Sequence, residues 1–159
     1  MSRILKVMAL GCALALGATT AQAACSAPGD SATIAKQMAQ MTSQFRKQFG
    51  LSAVKVSPAL NKAAMAYACE MASSGNFGHV GKGGSTVKTR ASKAGYGRAC
   101  MLAENIAWGY KGADVVMGGW QTSPKHKANL THRKAKEIGI GVAYNGSTPY
   151  WVMMLGSKC

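Results

Sequence analysis

Acidic side chains are scarce in this sequence: 5 Asp and Glu stand against 19 Lys and Arg, which gives a net charge of +14. Charged residues still make up only 15% of the chain and 48% is apolar, a composition that excludes a disordered basic tail and allows a buried core. Prolines number only 4, and the 159 residues contain no internal repeat and no linker rich in Pro, Gly or Ser. A chain of this length and composition therefore fits one globular domain and not two.

Long apolar stretches are also missing, except at the start of the chain. There Arg3 and Lys6 precede the apolar run Met8–Ala18, and the segment closes on Ala21-Gln22-Ala23. The run is shorter than the ~20 residues that a membrane-spanning helix needs, and it ends in a small-x-small cleavage pattern. Residues 1–23 are therefore predicted to be a signal peptide, and residues 24–159 a single domain that is secreted or periplasmic.

The sequence has no CxxC pair, so metal binding or redox chemistry by closely spaced thiols is not expected. Loss of Cys12 with the signal peptide leaves an even number of cysteines in an exported chain, which predicts two disulfides among Cys25, Cys69, Cys100 and Cys159. Four cysteines allow three pairings. We expect Cys69–Cys100, which would tie a helix to the loop before a strand, and Cys25–Cys159, which would tie the two termini together.

Apolar spacing and capping signals predict four helices. The first runs from about Thr33 to Phe49, where apolar residues recur every three or four positions: Ile34, Met38, Met41, Phe45 and Phe49. The second begins at Ser57-Pro58, an N-cap hydroxyl followed by a first-turn proline, and ends at Gly75. Shorter helices are predicted over Ser85–Ala94 and Gly112–Gln121. Within the last of these, Gly118 and Gly119 predict that another backbone passes close by.

The C-terminal part of the chain carries the clearest strand pattern. Bulky residues alternate with small ones over Ile138–Tyr144, and the turn Asn145-Gly146 joins them to the apolar run Tyr150–Leu155. Asn105–Trp108 is predicted to be a further strand. A sheet with one bulky face and one nearly bare face suits helices packed on both sides, with close packing against the glycine face. Periodicity therefore predicts an α+β layered domain.

Several short motifs follow one another along the chain: Phe77-Gly78-His79, Gly95-Tyr96, Ala103-Glu104-Asn105-Ile106-Ala107, Trp120-x-x-Ser123-Pro124-x-His126-x-x-Asn129-Leu130, Ile138-Gly139-Ile140-Gly141 and Tyr150-Trp151. In this order they resemble the CAP superfamily, which groups cysteine-rich secretory proteins, antigen 5 and pathogenesis-related 1 proteins, and above all its bacterial SCP-like branch. The similarity runs from about Phe45 to Leu155. It implies a three-layer α-β-α sandwich around a small antiparallel sheet.

The resemblance also implies a groove that many relatives line with two His and two Glu and that can bind a divalent cation. Carried over by motif, the first His is His79, the first Glu is Glu104 and the second His is His126, while Ser123 stands where the second Glu would be. Glu137 does not replace it, because it matches the residue just before the Ile-Gly-Ile-Gly strand. The ligand cleft is therefore predicted to hold His79, Glu104, His126 and Ser123. Zinc binding by His79, His126 and Glu104 is expected to be weak.

The residues taken by themselves leave more than one role open. Two imidazoles and one carboxylate suit a Zn²⁺ site with an open fourth position, or an acid–base pair around a substrate. They also suit a structural role, in which Glu104 caps backbone donors and the histidines are satisfied by buried hydrogen bonds. A hydrolytic triad of Ser123, His126 and Glu104 is disfavoured, because a serine before Pro124 at a helix end more commonly caps a turn.

The third histidine and the large apolar side chains are interpreted as structural. His132 lies among basic residues and matches no family motif, so we expect it to be exposed. The tryptophans and the Met-rich end of the chain each fall within a predicted helix or strand, which places them in the core: Trp108, Trp120, Trp151, Met153 and Met154.

Basic residues are concentrated in two runs that we expect to flank the cleft: Lys82, Lys88, Arg90, Lys93 and Arg98, and then Lys125, Lys127, Arg133, Lys134 and Lys136. Without Arg3 and Lys6 the mature chain keeps a net charge of +12, a field that attracts anions and also favours solubility. Nothing resembles a module that reads a nucleic-acid sequence. The expected partner of this monomer is a lipid, an anionic membrane surface or a cell-wall polymer.

Two functions from different classes remain. We favour a non-enzymatic extracellular binding module for a lipid-like or anionic ligand, because binding is the activity that the resemblance implies best. The alternative is a cleft hydrolase that acts on peptides or glycans and uses Glu104 with His79 or His126 as its acid and base.

Overall fold

The computed structural model describes Cys25 and residues 27–159. The predicted signal peptide, residues 1–23, lies outside these residues. Within the described part, no helix combines the length and the apolar character that crossing a membrane requires.

The helices are α1 (Ser31–Lys47), α2 (Pro58–Ser74), α3 (Val87–Lys93), α4 (Ala113–Thr122) and α5 (Pro124–Leu130), with a single 3-10 turn at Lys82–Gly84. The strands are β1 (Lys55–Val56), β2 (Ala99–Trp108), β3 (Glu137–Asn145) and β4 (Thr148–Lys158). The four predicted helices are confirmed within a few residues, whereas α5 was not predicted. Pro124 ends α4 as expected, but it also occupies the first position of α5, where a missing N–H costs nothing.

The strands form one sheet in the order β1-β3-β4-β2, antiparallel except for the short parallel pair β1 and β3. Two apolar clusters occupy its two faces: one packs α1, α4 and Leu130 of α5 against the sheet, and the other packs α2 and Ala91 of α3. The three-layer α-β-α sandwich is therefore confirmed. The turn between β3 and β4 is Gly146-Ser147, one residue later than predicted, because Asn145 still pairs with Thr148.

Gly139 and Gly141 bring α2 down onto the sheet. Their neighbours Ile138, Ile140 and Val142 point into the α1 layer, which leaves the α2 side of β3 without side chains at these two positions. A Cβ on either glycine would overlap the backbone of α2, at Leu60 and Asn61 or at Ala64 and Met65. The predicted close packing against the glycine face of the hairpin is confirmed.

Replacing Gly141 by Ala should therefore lower the free energy of unfolding by at least about 1 to 3 kcal/mol, the usual cost of overpacking a filled core. Urea unfolding followed by circular dichroism measures it. Gly118→Ala is the control, because nothing lies within 4 Å of a Cβ at Gly118. An equal change in the free energy of unfolding in the two variants would show that α2 does not pack directly on the sheet backbone.

The expectation of a close backbone at Gly118 and Gly119 is wrong. Open space surrounds the position of a Cβ at Gly118, and at Gly119 the nearest neighbour is a side chain, the hydroxyl of Tyr110 at 2.9 Å. Gly119 makes room for a tyrosine ring from the loop after β2. The two glycines do not mark a crossing of backbones.

Two disulfides are present as predicted, but the expected pairing is wrong. The bonds are Cys25–Cys69 and Cys100–Cys159, with Cα atoms 5.3 Å and 4.8 Å apart. Because β2 pairs with β4 along its whole length, Ala99 lies opposite Lys158, and Cys100 lies beside the residue that follows β4. The N–H of Cys159 donates to the carbonyl of Arg98 at 3.1 Å, which holds Cys159 next to the start of β2. Cys69 on α2 then pairs with Cys25.

Candidate functional site

His79 and Glu104 are in direct contact. The Nδ1 atom of His79 lies 2.9 Å from Oε1 of Glu104. Glu104 projects from the middle of β2 and its side chain is only 3% exposed, whereas His79, in the loop after α2, has a side chain that is 59% exposed. The carboxylate therefore anchors one ring nitrogen of an imidazole that otherwise faces solvent.

Arg90 holds the other oxygen of the same carboxylate. Its Nη2 donates to Oε2 of Glu104 at 2.7 Å and to the carbonyl of His79 at 3.1 Å, and its Nη1 donates to the carbonyl of Ser85 at 2.8 Å. The guanidinium carbon lies 3.4 Å from the centre of the Tyr67 ring. One arginine thus ties α3, the His79 loop and β2 together.

The sequence interpretation placed Arg90 among the basic residues flanking the cleft, but the structure buries it, with 9% of the residue exposed. The sequence around Arg90 contains a weak indication of this burial. Arg90 precedes the buried Ala91 and stands four residues before the partly buried Ala94, on the side of α3 that faces the sheet. Because Lys and Arg dominate residues 82–98, the sequence pattern does not show that this side of α3 is buried.

His126 and Ser123 line a cleft of about 310 Å³, here called the aromatic cleft. Its walls come from the end of β2, the loop after it, α4 and α5, with Phe77 beside them: Phe77, Ile106, Ala107, Trp108, Tyr110, Gly119, Trp120, Ser123 and His126. The His126 ring lies 6.4 Å from Trp120, and its backbone carbonyl accepts a hydrogen bond from Asn105. Burial lowers the pKa of His126, and the nearby His79 lowers it further. His79 and Glu104 are not part of this lining.

The structure does not form the disfavoured triad. Glu104 engages His79, and no hydrogen bond within the described residues joins His126 to Glu104 or to Ser123. Glu137 accepts a hydrogen bond from the hydroxyl of Tyr96 at 2.5 Å, which occupies it away from the predicted site residues.

The donor set does not fit the divalent cation that the resemblance implied. Both oxygens of Glu104 already have partners, and one of these is the Arg90 guanidinium, whose positive charge lies directly against the carboxylate. Over Cys25 and residues 27–159, no three His, Cys, Asp or Glu side chains are grouped to hold an ion. The predicted zinc ligands therefore do not assemble into a metal site, and no chemistry is assigned to one.

The three tryptophans differ in burial, which the sequence did not predict. Trp120 and Trp151 are buried, as expected, and so are Met153 and Met154. Trp108 is 57% exposed, so its assignment to the core is wrong: it is the last residue of β2 and stands at the mouth of the aromatic cleft. It meets Phe77 edge to face, with ring centres 6.5 Å apart. His132 is exposed, as predicted.

The depressed pKa of His126 makes a contribution to stability that depends on pH. An unfolded chain, with a histidine pKa near ~6.5, accepts a proton that the native protein resists. The contribution is therefore complete above about pH 6.5 and is lost as the pH falls below that value. We expect His126→Gln to flatten the decline of the free energy of unfolding between about pH 7 and pH 5 relative to the wild type. Urea titrations at several pH values measure the slope, and identical slopes would contradict the assignment.

The family model described as the cysteine-rich secretory protein family, CAP, matches residues 39–155 of this chain. Among curated proteins, the chain is 29% identical over 124 residues to the Uncharacterized protein YkwD of Bacillus subtilis (strain 168). That alignment covers 77% of this chain and 47% of YkwD, so the chain spans about half the length of this relative.

Solved structures share the fold. An outer surface protein from Borrelia burgdorferi gives a TM-score of 0.75 at 20% identity, over 85% of this chain and 99% of that one. An extracellular protein containing an SCP domain from Bacillus anthracis str. Ames gives a TM-score of 0.73 at 19% identity, over 80% of this chain and 41% of that one. The motif order, the α-β-α sandwich and the family match over residues 39–155 agree, and the chain belongs to the cysteine-rich secretory protein (CAP) family.

Proposed function

We propose that this protein is an extracellular binding module that uses the aromatic cleft to hold the apolar part of a lipid-like ligand at an anionic surface. The observation that carries the proposal is the exposure of two aromatic rings at one place. Phe77 is 45% exposed and Trp108 is 57% exposed, and the two are in contact at the mouth of the cleft. Large exposed apolar groups gathered together usually mark a binding surface.

The surroundings of these rings support a lipid surface as the partner. Tyr110, which lines the cleft and follows β2, is also exposed. Two lysines lie close in sequence to lining residues of the cleft: Lys111 follows Tyr110, and Lys125 lies two residues after Ser123. Tryptophan rings favour the boundary between headgroups and acyl chains, and neighbouring lysines favour anionic headgroups.

A location outside the cytoplasm is consistent with three observations. The two disulfides are typical of oxidising compartments. The first residues have the pattern of a signal peptide. The structural relatives from Bacillus anthracis and Borrelia burgdorferi are described as an extracellular protein and an outer surface protein.

One observation favours the hydrolase as a second candidate. Glu104 fixes the Nδ1 side of an exposed His79, which leaves the other ring nitrogen available as a general base. A nucleophile is missing from this arrangement, since no Ser, Thr or Cys side chain bonds to His79 within the described residues. Water would have to be activated directly, beside an Arg90 that already neutralises the carboxylate.

Sedimentation with vesicles of phosphatidylcholine and phosphatidylglycerol tests the proposal. Phe77→Ala combined with Trp108→Ala should weaken binding by about tenfold or more, because each ring contributes on the order of 1 to 3 kcal/mol when buried. Phe49→Ala is the matched control, since Phe49 is 44% exposed but lies outside the cleft. Binding should also decline as salt rises past ~0.15 M, where screening acts within about 8 Å.

Two results would contradict the proposal. One is equal binding by the cleft variant and the Phe49→Ala control. The other is turnover of a peptide or glycan that His79→Ala abolishes while vesicle binding stays intact, which would establish the hydrolase instead.

A further inference from the structure

A second groove, of about 510 Å³, lies between α2 and α3 and shares no residue with the aromatic cleft. We call it the α2–α3 groove. Its floor is apolar and comes from one face of each helix: Ala63, Ala66 and Tyr67 on α2, and Ala94 just after α3. A concave apolar surface of this size is typical of a small-molecule site.

Three lysines from three different elements line the same groove. Lys62 belongs to α2, Lys82 to the 3-10 turn and Lys93 to α3. All three are exposed, and in the described part of the chain the ion pairs involve only Glu104, so these lysines have no carboxylate partner there. The groove's single acid, Glu70, accepts a hydrogen bond from the backbone N–H of Lys82 at 2.6 Å. The groove is therefore cationic at its edges and apolar at its base.

Arg90 forms part of the wall of the groove. It lines the groove although it is nine-tenths buried, at 9% exposure. Both terminal nitrogens have acceptors, but its Nε–H has none among the described residues. That nitrogen is fully buried, so the accessible positive charges of the groove are those of the three lysines.

We propose that the α2–α3 groove is an anion site for a small phosphate monoester or carboxylate that carries an apolar body. Lys62, Lys82 and Lys93 would surround the anionic group, while the alanines and Tyr67 would contact the apolar portion. This site goes beyond the proposed function, because it neither uses the aromatic cleft nor requires a membrane. The lysines are exposed and screened by salt, so the apolar floor supplies the selectivity against simple anions.

Calorimetric titration with octyl phosphate tests this site, with inorganic phosphate and octyl glucoside as probes that each lack one half of the ligand. We expect octyl phosphate to bind more tightly than either probe. Lys62→Gln combined with Lys93→Gln should weaken its binding by about tenfold or more, because bonds to charged groups are lost. Lys36→Gln combined with Lys88→Gln removes the same charge at lysines outside the groove and should leave binding within about twofold of the wild type.

The outcomes separate the two sites. Equal weakening by both lysine pairs would mean attraction to net charge and would overturn the groove, as would octyl glucoside binding as tightly as octyl phosphate or an absence of binding. The Phe77→Ala and Trp108→Ala double variant should bind octyl phosphate unchanged. Loss of binding in that variant would place the ligand in the aromatic cleft, which refutes the groove and leaves the proposed function standing.

Discussion

Replacing Arg90 by Met should lower the free energy of unfolding by about 3 to 5 kcal/mol, the usual cost of leaving one member of a buried ion pair without its partner. The pair is well buried, with side-chain exposures of 8% for Arg90 and 3% for Glu104. Met keeps an unbranched apolar side chain at this position, so the loss would come from the charge, the hydrogen bonds and the stacking of the guanidinium on Tyr67. Urea unfolding measures the difference.

A double-mutant cycle separates the ion pair from packing. Arg90→Met combined with Glu104→Leu should cost less than the sum of the two single changes, because no charge is then left buried alone. Arg98→Met is the control: Arg98 is exposed, and its change should stay within about 0.5 kcal/mol. Additive single effects would show that Arg90 and Glu104 do not stabilise each other.

The second large effect is expected from the disulfides. The two bonds close segments of 44 and 59 residues. The entropy that each removes from the unfolded chain corresponds to about 4 kcal/mol. Cys100→Ser combined with Cys159→Ser should therefore lower the free energy of unfolding by several kcal/mol, and thermal unfolding with and without reductant measures it.

Peptide mapping tests which cysteines are bonded to each other. Digestion without reduction should give one linked peptide pair containing Cys25 and Cys69 and another containing Cys100 and Cys159. The Cys100→Ser and Cys159→Ser variant should retain the first link. Recovery of a Cys69–Cys100 peptide would contradict the arrangement of β2 beside β4.

The fold could be predicted because its signals are local. Ser57-Pro58 and Gly75 mark the ends of α2 within a residue, and the Ile-Gly alternation identifies both the hairpin and the face on which α2 rests. The full length of β2 was missed. Only its last part has a clear strand pattern, and its first half is held by pairing with β4, which depends on the fold as a whole.

The wrong predictions for Cys100, Arg90 and Trp108 have one cause. A local sequence pattern does not show which residues from distant parts of the chain become neighbours. Cys100 finds Cys159 through strand pairing, and Arg90 is buried because Glu104, 14 residues later, needs a second partner. Trp108 follows a run of buried residues in β2, so its pattern predicts burial, but the strand ends there and the ring stands outside. The resemblance pointed to His79 and Glu104, which are in contact, and Arg90 changes what they can do.

Quenching of tryptophan fluorescence by brominated phospholipid tests whether the aromatic cleft contacts lipid. Trp120 and Trp151 are buried, so Trp108 is the exposed reporter at the mouth of the aromatic cleft. In vesicles of phosphatidylglycerol and phosphatidylcholine with brominated acyl chains, the wild type should be quenched, and Trp108→Phe should bind with most of that quenching gone. Binding with no quenching, or equal quenching in both proteins, would show that the aromatic cleft does not meet the lipid.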